Sequence, residues 1–90
     1  MKTFDDLIFN ENNITGLGTK KYAKLKLDNN IIVSVVGGYG VYGNGIDSFE
    51  IAAWHDSDKN NFIRLSEYDD VLGWLSKEQV TAKINELSKL

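Results

Sequence analysis

Polar and apolar positions alternate most clearly between Lys20 and Val36. In KKYAKLKLDNNIIVSVV, Ala23, Leu25 and Leu27 alternate with Tyr22, Lys24 and Lys26, the period-two signature of a half-buried strand. Beyond a polar break, Ile31, Val33 and Val35 repeat the pattern. The two apolar sets share one face only if Leu27 opposes Ile31 and Leu25 opposes Val33, because a one-residue slip sends one set to the other side. That register leaves Asp28, Asn29 and Asn30 as a three-residue loop. Such loops are commonly a type I turn closed by a residue in the left-handed region, where Asn is among the few tolerated non-glycines. The register therefore predicts Asn30 at positive φ.

The remaining pattern is read outward from this hairpin. IDSFEIAAW, residues 46–54, predicts a third strand with Phe49, Ile51 and Ala53 on one face, and FIRL, residues 62–65, a short fourth. TFDDLIF, residues 3–9, reads as a turn or short strand, and NENNITGLGT, residues 10–19, as a loop with turn chemistry. SEYDDVLGWL, residues 66–75, reads as two helical turns with Ser66 as cap and Gly73 as a weak point. Ser76-Lys77-Glu78-Gln79 fits a capping box, and a helix from Lys77 to about Lys89 follows with Val80, Ile84 and Leu87 on one face. The expected fold is α+β: a four-stranded antiparallel sheet with the C-terminal helix packed on one face, in a single domain spanning 1–90.

Composition narrows the functional classes. Ninety residues give one core with little room for a deep enclosed active site. The absence of Cys excludes disulfides, thiolate metal sites and cysteine nucleophiles. MKTFDDLIF has one early Lys and no long apolar run, so neither a signal peptide nor a membrane span is expected, and a cytoplasmic location is. Net charge is −3, with Lys and Arg scattered, so no direct nucleic-acid binding is expected, because that needs a basic patch against phosphates.

Directly after the most β-prone run comes a loop with glycine at 37, 38, 40, 43 and 45 and tyrosine at 39 and 42. Gly38 to Gly43 spells G-x-G-x-x-G, but Asn44-Gly45 and then a strand follow where the dinucleotide motif needs a helix N-terminus. The bland reading is a plain hairpin loop. The functional reading is an interaction surface, since tyrosines on a glycine frame supply amphipathic contact area at low entropic cost. Its candidate partner-binding residues are Tyr39, Val41, Tyr42 and Asn44.

DSDKNNFIRLSE, residues 56–67, places Asp56, Asp58 and Asn60 at positions 1, 3 and 5 of an EF-hand loop, Ile63 at position 8 and Glu67 at position 12. Position 6 holds Asn61 instead of Gly, and FEIAAW before it alternates like a strand, so a polar hairpin loop is preferred and no metal site is assigned. His55 is the only histidine and reads as a strand-end surface residue. Asp5-Asp6 and Asp69-Asp70 read as caps near helix starts, and Trp54 and Trp74 as core or core-rim residues. No catalytic constellation and no cofactor site emerge.

Asn30 with V-S-V-V-G-G at 33–38, Tyr42-Gly43, F-E-I-A at 49–52 and D-D-V-L-G-W-L-S at 69–76 together resemble small proteins encoded by phages and prophages. Those similarly open with an F-x-D-L-x-F segment, here Phe4-Asp5-Asp6-Leu7-Ile8-Phe9, shifted by one residue. The likeness spans most of the chain, its motifs are structural in kind, and the family brings no assigned activity. It implies an ordinary hairpin loop at residues 56–61 and, with the small size and the Tyr/Gly loop, a non-enzymatic accessory protein. Such a protein would work in the host cytoplasm by binding and inhibiting a host protein, in counter-defence of the anti-CRISPR kind or in host takeover. The alternatives are a calcium-binding module through loop 56–67, and a structural protein that pairs with copies of itself, as a homodimer, through its Tyr/Gly loop and open sheet edges.

Overall fold

The computed structural model describes residues 2–14, 18–38, 41, 43–66 and 69–90. A 3-10 turn, Phe4–Asp6, precedes six strands, β1 (Asn10–Ile14), β2 (Gly18–Lys26), β3 (Ile31–Gly38), β4 (Phe49–His55), β5 (Asp58–Phe62) and β6 (Val71–Leu75), and then one helix, α1 (Lys77–Ser88). The fold is α+β: an antiparallel sheet in the order β1-β2-β3-β4-β5, with β6 also on β4 and α1 packed against one face. β3 occupies one side of β4 from Glu50 to His55, so β5, at Trp54 and His55, and β6, from Phe49 to Ala52, lie end to end along the other side.

The β2–β3 hairpin has the expected register. Leu25 opposes Val33, Leu27 N donates to Ile31 O (2.8 Å), and Asn30 takes φ 65° at the end of the turn. Asn29 in the same turn does a second job: its Nδ2 donates to Leu87 O (2.9 Å) and Leu90 O (3.3 Å). Leu87 lies in the last turn of α1, where intrahelical donors run out, and Leu90 lies just beyond the helix. The hairpin therefore caps the helix that covers it.

At the other end of α1 the capping box is formed, with Gln79 N on Ser76 Oγ (3.1 Å) and Ser76 N on Gln79 Oε1 (2.8 Å). The helical spacing of Val80, Ile84 and Leu87 turns all three into the core. They meet Ala23, Leu27, Ile31, Val33, Val35, Phe49, Ile51 and Ala53 from the sheet, with Leu7 and Leu65 closing the margins. Burying each large aliphatic side chain here contributes about 2 kcal/mol.

Five expectations need correction. Residues 10–19 are not all loop, because β1 and the start of β2 form a hairpin in which Asn10 opposes Tyr22 and Glu11 opposes Lys21; pairing with a committed strand overrides the poor β propensity of Asn. The fourth strand is Asp58–Phe62 and not 62–65, with a shift in register that leaves residues 59–61 bulged opposite the Trp54–His55 step. Of the stretch expected to be helical, Val71–Leu75 is strand β6, and Ser66 Oγ accepts from Asp69 N (3.1 Å) ahead of it. The sheet thus has six strands where four were expected. Asp6 does cap, its Oδ2 accepting from Thr3 N (2.7 Å), whereas Asp69-Asp70 lead into strand β6.

Candidate functional site

Of the loop residues singled out as a binding surface, Tyr39 and Tyr42 lie outside the described residues. Val41 is half-buried. Asn44 is exposed, and its side chain organises its own loop: Oδ1 accepts from Ile46 N (2.8 Å), Asp47 N (3.0 Å) and Ser48 N (3.1 Å), while Nδ2 donates to Asp47. The glycines explain how this loop lies flat on the sheet. A Cβ on Gly37 would sit 2.5 Å from Gly45 Cα, and one on Gly43 would sit 2.7 Å from Phe49 Cα, so only hydrogen fits where backbone meets backbone.

The larger feature is the sheet face opposite α1. Since Ala23, Val33, Val35, Ile51 and Ala53 point into the core, their neighbours along each strand point away from it. The register sets these in cross-strand rows: Lys26, Ile32, Trp54 and Phe62; Lys24, Ser34, Ala52 and Val71; Tyr22, Val36 and Glu50. No described helix packs there. The Trp54 and Phe62 rings stack with centroids 5.6 Å apart and an interplanar angle of 21°, and Lys24 Nζ lies 5.6 Å from the Trp54 centroid. Phe62 is 46% exposed, and Ser34 and Ala52 are small, so the centre of the face is low and its aromatic end stands up. Lys20, Lys24 and Lys26 run along β2 beside it, Lys26 paired with Asp56 at 3.2 Å.

Trp74 borders the same face and corrects the expectation of a core-rim residue, being 65% exposed. Phe49 pairs with Leu75 and Ile51 with Leu72, so Glu50 opposes both Gly73 and Trp74 in a β-bulge. The residue that takes the left-handed conformation is Trp74, at φ 57°, and not its glycine neighbour. A bulky side chain there is a conformational outlier held by its surroundings.

The polar segment after β4 has a different geometry from a wound metal loop. Asp56 and Ser57 make a tight turn, Asp58–Phe62 is extended and exposed, and Asp58 accepts both bonds from Asn61 Nδ2 (3.1 Å). Among the described residues no three His, Cys, Asp or Glu side chains converge on one point; Glu67 lies outside them. His55 is exposed at the end of β4. No helix of the described residues is long and apolar enough to cross a membrane.

The class these features define is a six-stranded antiparallel sheet backed by one helix, with the opposite face left open and aromatic. Comparison with family models, curated proteins and solved structures finds no match for this chain.

Proposed function

We propose that this chain is a small phage-type accessory protein that acts without catalysis, by binding a host protein and blocking it, and that it docks through the open sheet face. The observation that carries the reading is the stacked Trp54–Phe62 pair at the end of an apolar strip, with Lys24 beside it. Aromatic anchors in a desolvated centre, rimmed by charge, are the usual energetic core of protein interfaces. The lysines of β2 favour a partner surface that carries carboxylates beside an apolar projection. A nucleic-acid partner fits less well: the chain's net charge is −3, Lys26 is already paired with Asp56, and Glu50 lies in the row next to that of Lys24.

The test is affinity capture from nuclease-treated bacterial lysate with three baits: wild type, a Lys24→Glu/Phe62→Glu variant, and a Tyr39→Ala/Tyr42→Ala variant. The expected result is one host protein held by wild type and by the tyrosine variant and lost by the face variant, which melts at the wild-type temperature. Loss in the tyrosine variant alone would move the site to the glycine loop. Capture of copies of this chain alone, or dependence on nucleic acid, would overturn the reading.

A further inference from the structure

A second cleft lies at the end of the core, on the helix side of the sheet. Its floor is a cluster of three phenylalanines, Phe4, Phe9 and Phe49, with ring centroids 4.9–5.7 Å apart. The hollow measures about 230 Å³. An apolar cavity of about 150 Å³ takes a benzene ring, so the space suits one aromatic ring or one branched aliphatic chain. Ile46, 74% exposed, stands at its rim. Asn44 puts it there, by accepting from Ile46 N and the two amides that follow.

The rest of the rim is charged and unbalanced. Lys21 and Lys77 both line it, against the single carboxylate of Glu11. Glu11 pairs with Lys21 at 3.6 Å. Lys77 has no carboxylate within ion-pair distance among the described residues, and its Nζ lies 5.6 Å from the Phe4 ring centroid. An apolar floor under surplus positive charge is complementary to an apolar body ending in one negative charge. From this geometry we infer that the cleft is a binding site for a small monocarboxylic acid with an aromatic or branched aliphatic body, its carboxylate on Lys77 and its body on the three rings. The inference is independent of the open sheet face, which lies on the other side of the sheet.

The experiment is an amide chemical-shift titration of the labelled protein with 4-phenylbutyrate and, separately, with 4-phenylbutan-1-ol, which has the same body and no charge. Saturable shifts at Phe9, Glu11, Gly45 and Ile46 are expected, with a dissociation constant in the millimolar range for a ligand this small. The alcohol is expected to bind about fivefold more weakly, the worth of one partly exposed ion pair. In a Lys21→Gln/Lys77→Gln variant the acid should fall to the affinity of the alcohol, while the alcohol is unchanged. Shifts that do not saturate, shifts centred away from these residues, or equal affinity of acid and alcohol for the wild type would each overturn the assignment.

Discussion

Trp74 offers a test in which the sign, more than the size, carries the argument. At φ 57° it holds a conformation that costs a residue with a Cβ about 1–2 kcal/mol. Comparing Trp74→Ala with Trp74→Gly removes the indole in both and isolates the backbone. In an ordinary strand the glycine variant is the weaker of the two by about 0.5–1 kcal/mol, through the entropy of the unfolded chain. Here glycine also escapes the left-handed penalty, and the two effects oppose each other. The penalty is the larger, so the glycine variant is expected to be the more stable by about 0.5–1 kcal/mol. At about 4–8 °C per kcal/mol for a domain of this size, its melting temperature should lie about 2–8 °C above that of the alanine variant. Thermal melts followed by far-ultraviolet circular dichroism resolve that interval. An alanine variant that melts at or above the glycine variant would refute the left-handed bulge, and with it the reason Trp74 stands out from β6.

Three further outcomes follow from the packing. Gly37→Ala and Gly43→Ala each force a Cβ against backbone at 2.5–2.7 Å, and each should lower unfolding free energy by about 2–3 kcal/mol in urea titration. Asn29→Ala removes the bonds from the β2–β3 turn to the end of α1 and should cost about 1 kcal/mol, seen as a lower urea midpoint at unchanged slope. Asn44→Ala frees the amides of Ile46, Asp47 and Ser48 and should raise their hydrogen-exchange rates while β2 and β3 stay protected.

The parts of the fold legible in the sequence are those where local chemistry and burial agree. The β2–β3 register followed from two apolar sets that must share a face, and Asn30 at positive φ followed from the register. α1 had a cap and an apolar stripe that named the same element. Where the two kinds of signal part, pattern reading fails for identifiable reasons. β1 and β5 are polar strands whose existence depends on the neighbour they pair with, so neither carries an alternation of its own. β6 misleads more actively. Its bulge inserts a residue between Leu72 and Leu75, and both then pack on the core at a spacing of three. That spacing imitates a helix, and only the bulge distinguishes the two.

The same distinction governs the candidate sites. Asn44 borders the glycine loop, and its side chain holds the turn that follows by accepting from three successive amides. Glycine clustering signals close backbone approach, and here Gly37, Gly43 and Gly45 approach the chain itself. The open face, by contrast, is assembled from alternate residues of five strands, none of them unusual alone. Tyr22, Trp54 and Phe62 are separated by 32 and 8 positions, and what unites them is the order of the sheet. A sheet covered by a helix on one side must do something with its other face. Either charge solvates it, as the lysines do along β2, or apolar area is left for a partner, as at Trp54 and Phe62. The face carries both, the lysines on β2 and the aromatic pair on β4 and β5, with β3 between them. A capture experiment that varies Lys24 and Phe62 together therefore reads the two as one surface.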